Sequence, residues 1–270
     1  MEGYTMLILI KGAGDLATGV AHRLKRCGFD IVMTEISKPT TVRRTISFSQ
    51  AVYDGSVEVE GIKAILVNNI KDIKNIIHNG NIPVIIDKTA DIVKQLKPDV
   101  VIDAIIAKKN LGTSIHDAPI VIALGPGFNA NVDCHCVIET QRGHYLGKCI
   151  YDGEALPNTG IPGDIAGFTE ERIIRATTDG IITPIKQIGD YVYKGDIVAY
   201  INTTKIKANV NGIIRGMLKE GLQVYSGMKC GDIDPRCEKS HCFTISDKAR
   251  SISGGVLEAI LYLNKEHINK

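Results

Sequence analysis

The residues whose types and spacing could do chemistry begin at Gly12-Ala13-Gly14-Asp15-Leu16-Ala17, directly after the apolar run Met6–Ile10. Glycines at the first and third positions let a backbone turn sharply and approach a pyrophosphate. A helix opening behind them offers unpaired N–H groups and a partial positive charge. Glu35 stands 21 residues past Gly14, where an acid at the end of the next strand can accept hydrogen bonds from a ribose. Gly12, Ala13, Gly14, Asp15, Leu16 and Glu35 are therefore candidate cofactor-binding residues. Asp15 is out of place beside a phosphate; its expected part is to cap the helix N-terminus, where acids are favoured. Arg43 and Arg44 follow Glu35 closely and join the set as cations able to meet a phosphate, with a solvated helix face as the plainer alternative.

A second glycine-rich loop, Gly125-Pro126-Gly127-Phe128-Asn129, follows another apolar run and adds Gly125 and Gly127 to the candidates. Beyond it lies Asp133-Cys134-His135-Cys136. In a strand spanning Val132–Thr140, Cys134 and Cys136 would share one face and Asp133 and His135 the other. Cys134, His135, Cys136 and His144 are the candidates for metal ligation. C-x-C is not the usual spacing of a structural zinc site, so the expectation is no metal and buried, inert cysteines.

The elements that must position these residues follow from the hydrophobic pattern. Met6–Ile10 reads as a strand; Leu16, Val20 and Leu24 lie at helical spacing until Cys27-Gly28 stops them; Phe29–Thr34 reads as the next strand. Ile62–Val67, Val84–Ile86, Val100–Ile105 and Pro119–Leu124 are apolar and mostly β-branched, as buried parallel strands are. Ile70–His78 and Asp91–Leu96 read as crossover helices, Thr40–Tyr53 as a further helix and Leu146–Tyr151 as a strand. Asn158-Thr-Gly-Ile-Pro-Gly163 is a loop and the best boundary in the chain. Past it, residues 176–201 match 208–233 at a constant offset of 32: Ala176 with Ala208, Gly180 with Gly212, Gly189 with Gly221, Gly195 with Gly227. Two such copies of short alternating strands suit a sandwich in which each half covers the other's apolar face. Val256, Leu257, Ile260 and Leu261 mark a closing helix expected to dock on the first domain.

The expected fold is thus a Rossmann-like α/β domain over 1–157, an all-β barrel-sandwich over 158–245 and a final helix over 246–270. Lys plus Arg number 32 and Asp plus Glu 30, a net charge of +2. That balance speaks against a nucleic-acid partner, and 5% aromatic residues with no Trp speak against a stacking platform. No apolar run approaches the ~20 residues of a membrane helix, and the N-terminus lacks a signal-peptide pattern. Seven cysteines, an odd number, favour reduced thiols and a cytoplasmic setting.

The repeat resembles the biotinyl/lipoyl carrier domain, but the halves join through the short Asn202-Thr203-Thr204-Lys205 without a Met-Lys-Met hairpin, so Lys205 is poorly placed to carry a swinging arm. The chain as a whole resembles the YqeB family. The residues that carry this are Gly12 to Leu24, Val42-Arg-Arg-Thr45, Lys109-Asn-Leu-Gly-Thr113, Gly125-Pro-Gly-Phe128, Val137-Ile-Glu-Thr140 with Arg142-Gly-His144, Asn158-Thr-Gly160, Gly231-Asp-Ile-Asp-Pro-Arg236, and Ile245-Ser-Asp-Lys-Ala-Arg250 with Gly254 to Leu261. The resemblance implies an accessory protein that matures selenium-dependent molybdenum hydroxylases. Its partners would be the hydroxylase and other maturation factors. The resemblance leaves the ligand open; together with the Gly12–Glu35 unit it admits NAD or a molybdopterin-type nucleotide. Two further readings stand beside it: an NAD-dependent oxidoreductase, for which Glu35 favours NAD over NADP while Arg43 and Arg44 pull the other way and His135 and His144 are the histidines that could donate a proton, and an adaptor or carrier module.

Overall fold

A computed structural model describes residues 5–268. The chain divides into two compact units, one of Met1–Pro39, Phe48–Thr159 and Ile245–Lys270, the other of Thr40–Ser47 and Gly160–Thr244.

The first unit is a mixed, mostly parallel nine-stranded sheet. Its strands are β1 (Leu7–Lys11), β2 (Asp30–Glu35), β3 (Ser56–Val59), β4 (Ile62–Val67), β5 (Ile82–Ile86), β6 (Val100–Asp103) and β7 (Ile120–Leu124). The short β8 (Asn129–Ala130), β9 (Cys136–Ile138), β10 (Cys149–Ile150) and β11 (Gly153–Glu154) follow. The sheet order is β10-β9-β7-β6-β1-β2-β5-β4-β3, and β8 pairs with β11 apart from it. Only the edge strands β3 and β10 run antiparallel to their neighbours. The middle strands are continuous apolar runs because both faces are covered. On one face Leu9, Val32, Val101, Val121 and Val137 form a core with Ile73 of α3 (Ile73–His78) and Val93 of α4 (Val93–Leu96). On the other, α1 (Asp15–Arg26) packs against the long closing helix α5 (Asp247–Ile268), which also contacts β7, β9 and β10. Close approach of the two helices depends on small residues: a Cβ at Gly19 would stand 2.7 Å from the Ala249 Cβ.

Several expected elements differ. Thr40–Tyr53 is not one helix. Residues 44–46 and 48–50 form separate 3₁₀ turns, and only Ala51–Asp54, helix α2, is α-helical. The β-branched Thr40, Thr41 and Val42 resist helix, and the Val42 carbonyl accepts a hydrogen bond from Met217 N in the second unit, to which Thr40–Ser47 belong. The expected strand Val132–Thr140 shrinks to Cys136–Ile138. Asp133 accepts the Asn129 N–H at 2.8 Å and the Asn110 side-chain N–H at 3.1 Å, curling the chain into a turn with Asn131 at φ 69°. Leu146–Tyr151 similarly reduces to Cys149–Ile150.

The second unit consists of antiparallel sheets. Its strands are β12 (Ile173–Arg175), β13 (Gly180–Pro184), β14 (Tyr191–Val192), β15 (Ile197–Ile201), β16 (Thr204–Lys207), β17 (Gly212–Met217), β18 (Gln223–Val224) and β19 (Lys229–Asp234). The starts of β13, β14 and β15 recur 32 residues later at β17, β18 and β19. The sheets are ordered β12-β19-β17-β14 and β16-β15-β13-β18. Each copy therefore gives its two longer strands to one sheet and lends its short middle strand to the other copy's sheet. Neither copy can complete a sheet alone. Half of the expected connection Asn202–Lys205 is strand: Thr204 and Lys205 open β16, which pairs back on β15 around a tight turn at Asn202, φ 51°.

Candidate functional site

The strand order reverses between β1 and β6, and in open α/β sheets such a reversal opens a crevice at the strands' carboxyl ends. The first glycine loop lies there. Gly12 leaves β1 at φ 89°, and a Cβ on it would come within 3.1 Å of the Ala104 carbonyl oxygen and 3.2 Å of the Ile105 Cα. Only glycine allows the loop to lie so close to the chain leaving β6. Gly14 then begins α1 without a side-chain cap, so Asp15 lies in the first turn and favours the helix through its charge.

Glu35 closes over this loop from the end of β2. Its Oε2 accepts the Ala13 N–H at 3.0 Å and its Oε1 the Ile36 N–H at 2.8 Å. Burial pushes its carboxyl above the ordinary glutamate range, against the pull of those two N–H groups. From α5 comes Lys248, whose ammonium burial and the nearby Arg142 push down while the charges of Asp15 and Glu139 pull it back up.

The second glycine loop reaches the same crevice through an intermediary. A Cβ on Gly127, φ 101°, would lie 2.5 Å from the Lys109 Cα and 2.6 Å from its N. Residues 104–109 thus touch Gly12 on one side and Gly127 on the other. That segment holds Ile106 at φ 60° and Lys108 at φ 61°, and a β-branched residue in the left-handed region is strained. Gly125 packs on Thr140.

Beneath the segment is a buried polar network. Lys11, 5% exposed, donates to Asp117 Oδ2 at 2.7 Å and to Thr113 Oγ1 at 3.0 Å. Thr113 donates to Asp103 Oδ2 at 2.6 Å, and the Ile105 N–H donates to Asp103 Oδ1 at 3.1 Å. Burial raises the Asp103 carboxyl, with Thr113, Ile105 and Lys11 opposing. Asn110 accepts the Gly112 and Thr113 N–H groups and donates to Asp133. These bonds pin the strained segment at both ends.

The crevice gathers Gly12, Ala13, Gly14, Asp15, Leu16 and Glu35, and Gly127 touches it through residues 108–109. Arg43 and Arg44 are elsewhere. Arg43 is buried in the second unit and donates to the His241 and Thr244 carbonyls; Arg44 donates to the Met217 carbonyl. The four metal candidates do not converge. Cys134 packs in the core with Val137, so it and Cys136 face opposite sides of the sheet, contrary to the expectation of a shared face. His135 accepts the Val121 N–H on Nδ1 at 2.9 Å, and His144 stacks edge-on against Tyr145. Cys136 instead meets Cys149: interaction between the two thiols raises Cys136 and lowers Cys149, while burial pushes Cys134 up to about 12; the Cys136 thiol donates to the Val137 carbonyl at 3.6 Å and the Cys149 thiol to the Gly255 carbonyl at 3.1 Å. Lys205 lies within β16, whose hairpin tip is Asn202-Thr203.

Reading the sequence missed Lys11, Asp103, Thr113, Asp117 and Lys248. The signal for two of them was there: Lys11 ends the apolar run of β1, and Asp103 interrupts the apolar run Val100–Ile105, a lone carboxylate that burial must satisfy.

Uncharacterized protein YqeB of Escherichia coli K12 is 50% identical to the chain over 257 residues, which is 95% of the chain and 48% of that relative. This chain is a close homologue of YqeB. It spans about half the length of that curated relative. No family model matches it. Among solved structures, a succinylglutamate desuccinylase from Silicibacter sp. TM1040 covers 86% of the chain with 85% of its own length, at 12% identity and a TM-score of 0.26. The ectoine utilization protein EutE from Ruegeria pomeroyi gives the same TM-score of 0.26 at 12% identity, with 86% of each chain covered. Likeness this remote carries no functional weight. Among the described residues no helix of this YqeB homologue is long and apolar enough to cross a membrane.

Proposed function

We propose that the chain is an accessory protein in the maturation of selenium-dependent molybdenum hydroxylases. In this reading it binds a nucleotide or a molybdopterin-type nucleotide in a Rossmann-like crevice, works in the cytoplasm with its seven cysteines as free thiols, and meets the hydroxylase and its maturation factors. One observation carries the ligand reading: at the reversal of strand order, the strained segment 104–109 contacts Gly12 and Gly127, one from each glycine loop. The donor set fits such a ligand in part. The first turn of α1 and Lys248 suit one anionic group, and Glu35 and Asp15 suit hydroxyl donors such as a ribose diol. Two carboxylates beside the loop disfavour a bare, highly charged polyphosphate. The homology to YqeB supports membership of the family, and the maturation role is what the family resemblance implies.

The test is genetic and chemical. A deletion strain should yield hydroxylase protein with depressed molybdenum content and purine-dependent activity, both restored by the wild-type gene. Full metal loading and activity without this chain would remove the maturation role. The position of Glu35 at the end of β2 favours a second reading, an NAD-dependent oxidoreductase. Such an enzyme needs a proton donor near the nicotinamide, and His135, a tempting one, has its Nδ1 occupied by the Val121 N–H. Calorimetry with NAD(H) and NADP(H) decides it: no heat of binding excludes the dehydrogenase.

A further inference from the structure

The far half of α1 borders a second cleft that the crevice does not explain. Its volume is about 350 Å³, and it lies among α1, the early part of α5 and the β3–β4 turn. Arg26 is 11 residues along α1 from Asp15, about 16 Å at 1.5 Å per residue, so this cleft is separate from the glycine loop.

Three guanidinium groups line it: Arg23 and Arg26 from α1 and Arg250 from α5. The close Gly19–Ala249 crossing brings the two helices near enough for this. Arg23 is braced, Nε donating to Ser253 Oγ at 2.8 Å and Nη2 to the Arg250 carbonyl at 3.1 Å. Arg250 is braced by Glu60, with Nη2 2.8 and 2.9 Å from the two carboxylate oxygens. Glu60 also accepts the Ile245 N–H at 2.8 Å. It holds φ 45° in the tight turn between β3 and β4, a place where Asn or Gly is the usual choice. His22 is nearly buried at the cleft, with Nε2 3.3 Å from the Glu60 carbonyl oxygen.

Charge settles the ligand class. The lining carries three arginines against one carboxylate, an excess of two positive charges with His22 neutral. Cations in the last turn of α1 complement the helix dipole. Arg250, in the first turn of α5, works against that helix's dipole, so the dipole does not account for it. Planar guanidiniums held by neighbours are suited to paired hydrogen bonds with a tetrahedral oxyanion, and a cleft of this volume accommodates a small molecule rather than a lone ion. We propose that this cleft binds a phosphate-bearing small molecule through Arg23, Arg26 and Arg250.

The test uses the full chain with inorganic phosphate and pyrophosphate as probes, at constant ionic strength with chloride as control. Calorimetry should give saturable binding, and the His22 ring resonances should move with the same isotherm. Arg26 is exposed at the end of α1, so Arg26→Glu should fold normally and lose about tenfold or more in affinity, equivalent to about 1.4 kcal/mol. Arg26→Lys should fall between. Linear, unsaturable heats with both probes, or an R26E protein binding as tightly as the parent, would overturn the proposal. The His22 ring resonances report this cleft alone, so saturable heats that leave them unmoved belong to the glycine-loop crevice and count against the proposal, whatever that crevice holds.

Discussion

Asp234 offers the most quantitative test of how the second unit holds together. Its side chain is 1% exposed at the end of β19. Arg236 grips it through Nε at 2.9 Å, Nη2 at 2.6 Å and its backbone N–H at 3.1 Å. Arg215 Nε lies 3.8 Å and His241 Nδ1 3.6 Å from the same Oδ2. Burial pushes this carboxyl up, but the Arg236 hydrogen bonds and the charges of Arg236 and Arg215 outweigh it, holding the pKa at about 2 against an ordinary 3.8. At 1.36 kcal/mol per unit, the difference contributes roughly 2 kcal/mol. The folded pKa is depressed, so this stability is present above pH 3.8 and is lost as pH falls toward 2. Asp234→Asn should cost more, about 3 kcal/mol, because it leaves positive charge from Arg215 and Arg236 uncompensated in a buried setting. That is the lower end of the usual range, since Arg236 is partly exposed and can turn to water. Hydrogen exchange with mass spectrometry on peptides covering β17 and β19 reads local stability without assuming that the two units unfold together. The parent should lose protection between pH 4 and pH 2 beyond the change in intrinsic rate, and D234N should lack that step while starting lower. A D234N protein within 1 kcal/mol of the parent, or a parent whose local stability is flat across that range, would refute the electrostatic reasoning.

Gly127→Ala drives a Cβ into the Lys109 backbone at φ 101° and should cost about 2–4 kcal/mol, visible as a lowered urea midpoint and as lost protection in 104–113; unchanged protection there would detach the second glycine loop from the crevice. Lys11→Met leaves Asp117 and the buried Asp103 network without its cation and should destabilise the first unit by about 3–5 kcal/mol; a loss under 1 kcal/mol in urea unfolding would show the network to be dispensable. Cys136→Ala removes the thiol whose interaction lowers Cys149, so the pH at which Cys149 is half alkylated by iodoacetamide should rise, as read by peptide mass spectrometry. A Cys149 profile identical to the parent's would mean that the two thiols do not interact.

Much of the architecture was legible because it rests on local patterns. The glycine loop, the helix behind it and Glu35 at the end of the next strand lie within one βαβ-type stretch, where spacing alone dictates geometry. The repeat was legible for a similar reason: an offset of 32 residues is a property of the string. Its consequence was not. That the short strands β14 and β18 cross into each other's sheets depends on pairings distant in sequence, which no local window contains. Arg43 and Arg44 illustrate the same limit. Their nearness to Glu35 along the chain pointed toward the crevice, yet Val42 pairs with Met217 and carries both arginines into the second unit. Sequence distance near a domain crossing says little about spatial distance.

By itself the sequence determined a parallel-sheet first unit, a repeated β second unit and a closing amphipathic helix, because apolar periodicity and glycine placement act through the backbone next to them. Only the tertiary structure decided which charges act together. Lys11 meets Asp117 across 106 residues, Glu60 meets Arg250 across 190, and Arg23 meets Ser253 across 230. Electrostatic and hydrogen-bond energies depend on separations of a few ångströms in space and on burial, and neither quantity is written along the chain.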